Sequence, residues 1–271
     1  MYLFLINPTA GNRRFQHLER PLRRLLDKLK IEYRFVTIDN LADIPALLEQ
    51  HLRPTDTGVV VVGGNATVTA VINAMVGIDL PLAIVPMSKT NFLAKSLGIT
   101  GWGQAIKMLV DPLLQAERLG KIGKHYFIRQ ITISSRQNLL SKYLSQSNPW
   151  FRFLGVTSPN STGDEGVLAE MVLDDELRAV AKAHRVEVKL NGTQGKKKLQ
   201  IRLLVPKDRA THSTTILHSD VLSITSDKKM PITIGNETIA YTPMEIRGMT
   251  KHINLVVPKP RSHKLTKTEA V

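Results

Sequence analysis

The sequence predicts an α/β N-terminal domain with a parallel, Rossmann-like sheet, followed by a C-terminal domain that is mainly an antiparallel β-sandwich. Two observations lead to this prediction. Apolar strands alternate with helical patterns over roughly the first 110 residues, which is typical of a parallel sheet with helices on its faces. After about Tyr126 the apolar runs are short and separated by turn residues, which is typical of a sandwich or barrel-like domain.

The N-terminal elements are predicted in a regular order. Tyr2–Ile6 is an apolar strand, and leucines recur at helical spacing within Phe15–Lys30. Gly58–Val62 is an unbroken apolar strand, of the kind that is buried on both faces of a parallel sheet. The remaining predictions for this domain are strands over Tyr33–Thr37 and Leu82–Val85 and helices over Ile44–Leu52, Val68–Met75 and Asn91–Leu97.

The C-terminal domain is predicted to consist of short strands with one helical interruption. The helix spans roughly Asp164–His184, because Val167, Leu168, Met171, Val172, Leu177 and Val180 are taken as its apolar positions. The predicted strands are Tyr126–Ser134, Val186–Leu190, Leu199–Val205, Thr214–Ile216, Val221–Thr225, Pro231–Ile234, Thr238–Tyr241 and Ile253–Val257. The predicted domains are residues 1–120 and 121–258, with a basic flexible tail over 259–271.

Composition bounds the class of protein. The chain has 271 residues, of which 42% are hydrophobic, as in an ordinary globular protein that can bury a sizeable core. It contains no apolar run of about 18 residues, so no transmembrane helix is predicted. Cysteine is absent, which excludes disulfides and thiolate metal sites and fits a reducing compartment. We therefore expect a cytoplasmic protein, with the inner face of the membrane as a place for peripheral association.

The charge balance favours anionic partners. The net charge is +14, from 37 Lys and Arg against 23 Asp and Glu, which suits phospholipid headgroups, a nucleotide or nucleic acid. Part of the excess is local, in Lys196–Lys198 and in the tail after Lys259, and both segments are equally well explained as solvated charge. Aromatic residues make up only 5% and are not interleaved with the basic residues, which argues against a base-stacking nucleic-acid surface. The sequence leaves the oligomeric state open.

Three loops follow predicted strands and precede helical patterns: residues 7–12, 62–67 and 84–99. Such loops lie at the carboxyl edge of a parallel sheet, where α/β folds bind ligands. Gly63 and Gly64 would let the backbone approach a phosphate, and the following helix N-terminus adds partial positive charge. The same glycines would also suit a tight turn with no ligand. Asn91 is equally explained as a helix cap, and Lys89 as a solvated cation.

The order and spacing of these loops resemble the diacylglycerol kinase catalytic family of lipid kinases. In that family the loops have the patterns N-P-x-(A/S)-G, G-G-D-G-T and P-x-G-T-x-N-D-x-A-R. The resemblance is strong over residues 1–100 and collinear to about residue 258. It implies an N-terminal nucleotide domain, a C-terminal lipid domain and an active site in the cleft between them. NAD kinases share the fold, but the third loop looks like that of the lipid kinases.

The resemblance implies a nucleotide site and shows where this chain departs from the family pattern. Asn65 and Ala66 stand at the positions of the family aspartate and glycine, and Phe92 stands at that of a second aspartate. An amide keeps the shape of a carboxylate but not its charge, so Mg²⁺ would lose a hard anionic ligand. The implied nucleotide-binding residues are Asn7, Gly11, Gly63, Gly64, Asn65, Thr67, Lys89 and Asn91.

The resemblance also implies a general base in the C-terminal domain. The family has a late D-G-E motif, whose glutamate is the proposed base on the lipid hydroxyl, and Gly235-Asn236-Glu237 corresponds to it. Glu237 is therefore the candidate catalytic residue, although a glutamate in a hairpin turn is ordinarily just solvated. The turn near Ser135 lacks the glycine and carboxylate of the family. The histidines show no metal-ligand spacing, so no protein-held metal site is predicted.

Three functions remain open on the sequence. The first is an ATP-dependent lipid kinase that phosphorylates a lipid hydroxyl, with ATP and Mg²⁺ as cofactors if it is active. The second is a catalytically impaired relative that binds nucleotide or lipid without turnover. The third is a basic membrane- or nucleic-acid-binding protein that reuses the fold.

Overall fold

The computed structural model describes residues 1–13, 15–88, 91–134, 167–183, 185–192, 197–206, 212–235 and 237–260. The chain divides into two units. The first unit comprises Met1–Ala116 together with the residues from Ile253 onwards, and the second comprises Glu117–His252. The C-terminal end of the last strand thus returns to the first unit, a feature that the linear division predicted from the sequence does not include.

The first unit is built on a parallel sheet, as predicted. Its strands are β1 (Tyr2–Ile6), β2 (Tyr33–Thr37), β3 (Gly58–Gly63) and β4 (Leu82–Pro86), in the order β2-β1-β3-β4. All of β3 is buried, because an apolar run between two parallel neighbours has both faces covered. The helices are α1 (Ala10–Arg13), α2 (Phe15–Lys28), α3 (Ile44–His51), α4 (Asn65–Ala74), α5 (Phe92–Ser96) and α6 (Trp102–Met108), and a 3-10 helix spans Leu41–Asp43.

The strand order sets where ligands would bind in this unit. The chain moves from β1 to one side to reach β2 and then to the other side to reach β3 and β4. Because such crossovers are right-handed, α2 lies on one face of the sheet and α3 and α4 lie on the other. Contacts of α3 with α4 and of α2 with α6 agree with this arrangement. The carboxyl ends of β1 and β3 therefore flank the point at which the strand order reverses, where open α/β sheets hold ligands.

The second unit is a two-sheet antiparallel structure. Strand β5 (Leu113–Ile122) enters it from the first unit, and β16 (Met244–Val257) leaves it at its carboxyl end. The other strands are β6 (His125–Ile128), β7 (Gln130–Ser134), β8 (Val167–Leu173), β9 (Leu177–Ala183), β10 (Arg185–Leu190), β11 (Leu199–Pro206), β12 (His212–Ser219), β13 (Val221–Ser226), β14 (Pro231–Ile234) and β15 (Glu237–Tyr241). One sheet has the order β12-β11-β10-β7-β14-β15, and in the other β13 lies between β16 and the β8–β9 hairpin.

The two sheets of the second unit share one apolar core. Alternate residues of β7, β10 and β11 point into it, and so do alternate residues of β8 and β13. Ile133, Val188 and Ile201 come from one sheet, and Met171 and Leu222 come from the other; all five are fully buried. This is the layered packing of a β-sandwich and confirms the predicted fold class of the C-terminal half.

The helix predicted over Asp164–His184 is wrong where the structure describes it. Residues 167–183 form the β8–β9 hairpin, in which Leu173 pairs with Leu177. The buried positions of β8 are Val167, Ala169, Met171 and Leu173, a spacing of two. Asp174 and Asp175 both have positive φ, as a tight hairpin turn requires. Residues 164–166 and His184 lie outside the described residues.

Three smaller differences follow from backbone detail. The predicted strand Tyr126–Ser134 is divided at Arg129, whose φ is 64°, into β6 and β7. Helix α6 and strand β5 were not predicted from the sequence. Strand β16 extends over 14 residues, from Met244 to Val257, and the sequence predicted only its last five as Ile253–Val257.

Candidate functional site

The three loops predicted to carry chemistry lie together at one edge of the first unit. Asn7 follows β1, Gly64 follows β3, and Met87 follows β4. Direct contacts join each pair of loops. We call Asn7, Gly11, Asn65, Thr67 and Asn91 the loop cluster.

The first and second loops are joined through Asn7 and Thr67. The Nδ2 of Asn7 donates to the Oγ1 of Thr67 at 2.9 Å, and Thr67 is buried. The Oδ1 of Asn7 accepts from the backbone N–H of Thr9 at 3.0 Å and from its hydroxyl at 2.7 Å. Both ends of the Asn7 amide are therefore used, and the side chain fixes the turn after β1 against the start of α4.

The first and third loops touch at Gly11. Its φ is +64°, and a Cβ on it would lie 2.6 Å from the carbonyl oxygen of Met87. Because backbone rather than a flexible side chain occupies that space, only glycine fits here without strain. The requirement for glycine at this position is thus explained by chain packing, whether or not a ligand is present.

The second and third loops are joined through Asn65, at the first position of α4. Its Oδ1 accepts from the backbone N–H of Phe92 at 2.8 Å. This bond satisfies one of the unpaired donors in the first turn of α5. The residue at the position of the family aspartate therefore uses its side-chain oxygen to hold the neighbouring loop.

Asn91 is a helix cap, as one of the two sequence interpretations stated. Its Oδ1 accepts from the N–H of Ala94 at 2.9 Å, and its Nδ2 reaches the carbonyl oxygen of Gly63 at 3.5 Å. The side chain is buried, with a relative exposure of 2%. Asn91 thus ties the start of α5 to the end of β3 and presents little polar surface to solvent.

The start of α4 offers space and donors for an anion. Gly64 is the N-cap, no side chain caps this end within the described residues, and a Cβ on Gly64 would have nothing within 4 Å. Gly63 differs, because a Cβ there would lie 2.6 Å from the Cβ of Thr67. An open helix N-terminus with unpaired N–H groups attracts phosphate. Gly64 is therefore the member of the pair that leaves room for a ligand.

Glu237 belongs to the second unit, at the first position of β15. It pairs with Ile234 across a tight turn that contains Gly235 at φ +57°, and its side chain is exposed. The predicted hairpin setting is therefore confirmed. The role of Glu237 as a general base stays a prediction, and so does its convergence with the loop cluster on one pocket.

Several sequence-predicted residues lie outside the described part of the chain. They are Lys89, residues 135–137, Lys196, Asn236 and the tail from Arg261. The expectations attached to them stay predictions. In the described residues, no group of three or more His, Cys, Asp or Glu side chains is placed to hold a metal ion. No described helix is both long and apolar enough to cross a membrane.

The second unit contains a charged cluster that the sequence did not reveal. The Oδ1 of Asp174 accepts from the Ser219 hydroxyl at 2.9 Å, from the Asp220 N–H at 2.8 Å and from the Val221 N–H at 2.9 Å. Its Oδ2 accepts from the Nζ of Lys197 at 2.8 Å, and Lys198 pairs with Asp220 at 3.3 Å. We call Asp174, Lys197, Lys198, Ser219 and Asp220 the turn cluster.

Hydrogen bonding outweighs burial in the turn cluster. Partial burial acts to raise the pKa of Asp174, but the bonds from Lys197, the two backbone N–H groups and Ser219 hold that pKa well below its ordinary value. The hydrogen bond to Asp174 raises the pKa of Lys197. Both groups are therefore charged at neutral pH. The turn cluster could not be recognised in the sequence, because its members come from three separate turns of the chain.

Comparison with known proteins shows similarity to one family in the N-terminal part of the chain. Residues 1–122 match the family model of the diacylglycerol kinase catalytic domain. This N-terminal part of the chain is therefore similar to the catalytic domain of that family. It is also 28% identical over 131 residues to a Bacillus subtilis (strain 168) protein named "Putative lipid kinase YtlR". That match covers 45% of this chain and 41% of the relative, so the chain spans less than half of the relative's length.

Solved structures of diacylglycerol-kinase-like proteins share the fold over nearly the whole chain. A crystal structure from Bacillus anthracis str. Sterne, described as a putative diacylglycerol kinase, has a TM-score of 0.72 at 15% identity and covers 95% of this chain and 96% of that one. A second structure, named a diacylglycerol kinase of the same organism, has a TM-score of 0.68 at 15% identity, with the same two coverages. At such identity the likeness concerns the fold alone.

Proposed function

We propose that this diacylglycerol-kinase-like protein binds the phosphate groups of a nucleotide at the start of α4 and transfers phosphate to lipid slowly or not at all. One observation carries the proposal: Asn65, at the position of the family aspartate, uses its side-chain oxygen as an acceptor for the N–H of Phe92.

A phosphate fits the start of α4. Gly64 leaves open space, and this end of the helix lacks a side-chain cap within the described residues. Helix N-termini of this kind hold anions through backbone N–H groups and the helix dipole. Asn7 and Thr67 hold the surrounding backbone in place through their 2.9 Å hydrogen bond.

Mg²⁺ fits this loop poorly. The oxygen of Asn65 already accepts a hydrogen bond, and the other polar atom of the side chain is an amide nitrogen, which donates hydrogen bonds and has no lone pair for a cation. Mg²⁺ prefers carboxylate and phosphate oxygens. Phe92 and Gly235 also stand where the family has aspartates. We therefore assign no step of a reaction to a metal held by these residues.

Nucleotide binding with and without Mg²⁺ tests the proposal. We expect ADP to stabilise the wild-type protein against thermal unfolding to nearly the same extent in either condition. At a ligand concentration of 100 times the dissociation constant the stabilisation is about 2.7 kcal/mol, which is readily measured. The Asn65→Asp, Ala66→Gly double variant should acquire Mg²⁺-dependent binding, because the carboxylate restores an anionic ligand and loss of the methyl group widens the phosphate space.

The matched control for this experiment is Asn73→Asp, which places the same new carboxylate near the other end of α4. It should leave the Mg²⁺ dependence of binding unchanged, since Asn73 lies in the last turn of α4, away from the proposed phosphate site at the start of that helix. Strong Mg²⁺-dependent binding by the wild type would overturn the proposal. A failure of every nucleotide to bind would also reject it.

Active lipid phosphorylation is the second candidate function, and the family match favours it. Phosphoryl transfer relies mainly on positioning and on charge neutralisation, with Glu237 as the candidate base on a lipid hydroxyl. Transfer of labelled phosphate from ATP to mixed lipids measures it directly. Robust Mg²⁺-dependent turnover that Glu237→Ala abolishes would establish this function in place of the impaired one.

An anionic membrane is the proposed location of the lipid partner, because the net charge of the chain is +14. Each favourably placed basic residue contributes about 1 kcal/mol to binding such a surface. Binding should therefore be stronger to vesicles that contain anionic lipid than to neutral vesicles, and it should weaken as salt is added. Equal binding to both kinds of vesicle would contradict this proposal.

A further inference from the structure

The first unit contains a large groove that the nucleotide proposal does not use. It lies between α2 and the α5–α6 segment and has a volume of about 780 Å³. Small-molecule sites occupy roughly 300–1,000 Å³ and are lined mostly by apolar side chains with few polar groups. The walls here include Leu18 and Pro21 from α2, Met87 after β4, and Trp102 at the start of α6.

Most polar side chains around the groove are already engaged. Asn91 caps α5 and reaches the carbonyl oxygen of Gly63. The hydroxyl of Thr100 donates to Gln104 at 2.8 Å. A planar, polar ligand such as a nucleobase needs several donors and acceptors, and these residues leave few. The lining therefore suits an aliphatic chain.

The rim of the groove carries positive charge. Lys95 supplies this charge, and it lines the groove and is exposed, as is His17. Within the described part of the chain neither forms an ion pair, and no described lining residue is acidic. The nearest carboxylate along α2, that of Glu19, is already paired with Arg23 at 2.8 Å. An anionic group at the mouth of the groove would thus meet an uncompensated ammonium group.

We propose that this groove binds one alkyl chain of an anionic amphiphile, with the chain against Leu18, Pro21, Met87 and Trp102 and the anionic end beside Lys95. A fatty acid and a single-chain lipid phosphate share this chemistry. The proposal does not depend on nucleotide binding or on kinase activity, since none of the residues at the start of α4 lines the groove.

Fluorescence of Trp102 gives a direct readout. The sequence contains two tryptophans, so Trp150→Phe in the full-length chain leaves Trp102 as the sole one. Decyl phosphate, decanoate, decanol and octyl phosphate are titrated below their micelle concentrations. Decyl phosphate and decanoate should bind saturably, and decanol at least about tenfold more weakly. Octyl phosphate should bind about 15-fold more weakly than decyl phosphate, since each buried methylene changes affinity about fourfold.

The two anionic probes separate the two ligand sources. Tighter binding of decyl phosphate assigns the site to lipid phosphates, and tighter binding of decanoate assigns it to fatty acids. ADP should not displace either probe. Displacement of a probe by ADP would place the nucleotide in the groove and overturn the proposal. If ADP does not bind to the protein but the probes still do, only the proposed nucleotide function is rejected.

Matched variants test both halves of the site. Lys95→Gln should weaken decyl phosphate about five- to tenfold and leave decanol unchanged, whereas Lys107→Gln, which removes an exposed lysine of α6 outside the groove, should change neither. Leu18→Gln should weaken all four probes, and Leu25→Gln, at a half-buried position on the same helix outside the groove, should not. Equal effects within either pair would overturn the proposal, as would decanol binding as tightly as decyl phosphate.

Discussion

The loop cluster of the first unit and the turn cluster of the second unit both hold separate turns of the chain together, but they do so with different chemistry. Each fastens three separate turns of the chain. The loop cluster uses neutral side chains, Asn7, Asn65 and Asn91, which bond to a hydroxyl and to backbone groups. The turn cluster uses the carboxylate of Asp174 with the ammonium group of Lys197.

The difference shows where this chain keeps and loses charge. In the first unit, Asn65 stands at the position of the family aspartate, and its amide oxygen accepts a hydrogen bond from the N–H of Phe92 in the neighbouring loop. In the turn cluster of the second unit, the carboxylates of Asp174 and Asp220 are paired with lysines and backbone donors, so they are stabilising rather than reactive. Stability should therefore depend on pH through the turn cluster and hardly at all through the loop cluster. Three substitutions, each with a matched control, test the packing and the charge of the two clusters.

The largest effect is expected for Gly11→Ala. The new Cβ would lie 2.6 Å from the carbonyl oxygen of Met87 at a residue with φ +64°. Left-handed backbone costs a non-glycine residue roughly 1–2 kcal/mol, and overpacking costs roughly 1–3 kcal/mol, so the free energy of unfolding should fall by about 2–4 kcal/mol. Urea unfolding measures it.

Gly64→Ala is the matched control for Gly11→Ala. Gly64 has negative φ and open space around it, so its substitution should cost about 1 kcal/mol or less, the loss expected at a helix N-cap. The same variant should weaken ADP binding, because its methyl group occupies the proposed phosphate space. Similar destabilisation by the two alanines would show that the first and third loops are not packed as described.

The second effect is expected for Asp174→Asn. Asparagine tolerates the positive φ of this position and its oxygen can still accept the backbone N–H groups, but it loses the ion pair with Lys197. The ion pair contributes little by itself, because Lys197 is exposed to solvent. The bonds that Asp174 accepts from two backbone N–H groups also lose their charge assistance, so we expect a total loss of about 1–2 kcal/mol at pH 7. Asp175→Asn, at the adjacent exposed position with positive φ, should cost less than about 0.5 kcal/mol.

The pH dependence of that effect follows from the sign of the shift. The pKa of Asp174 is lower in the folded protein than in the unfolded chain, so its contribution is present above the unfolded pKa of about 3.9 and disappears as the pH falls towards the folded pKa. The difference between wild type and Asp174→Asn should therefore be constant near pH 7 and shrink below about pH 4. A difference that grows on acidification would contradict the assignment.

Sequence reasoning succeeded for this protein where pattern and local chemistry agree. The Val59–Val62 run entering Gly63-Gly64 predicted a buried parallel strand, and β3 is one, with β1 and β4 on either side. Motif order alone predicted that the loops after β1, β3 and β4 would lie together. The contacts Asn7–Thr67 and Asn65–Phe92 agree with that expectation.

Sequence reasoning failed in the β8–β9 hairpin, where some of the inward-facing residues are small. In the β8–β9 hairpin, Ala169 and Ala183 are buried, and a residue as small as alanine does not register as an apolar position in a period-two pattern. The remaining large residues then fit a helical spacing. The turn has Asp174-Asp175 in place of the usual glycine or asparagine, so the sequence did not indicate a hairpin turn there. The turn cluster and the groove between α2 and the α5–α6 segment are formed by residues that lie far apart in the sequence. Local sequence patterns therefore could not predict them.

The smallest effect is expected for Asn65→Asp, which turns the loop cluster into a charged one like the turn cluster. The carboxylate can still accept the N–H of Phe92, and it lies in the first turn of α4 beside the start of α5, where the helix dipoles favour negative charge by roughly 0.3–1 kcal/mol. We expect a gain of about 0.5 kcal/mol at pH 7 that is lost as the new carboxylate protonates near pH 4. Asn73→Asp, in the last turn of α4, should instead lose stability, because it gives up the bond to Thr69 and meets the opposite end of the dipole. Thermal unfolding of both variants between pH 3 and pH 7 measures these changes. If Asn65→Asp loses more than about 1 kcal/mol at pH 7, the amide nitrogen of Asn65 makes a contact that the cluster needs, and a neutral side chain at this position is required for folding as well as unfavourable for Mg²⁺.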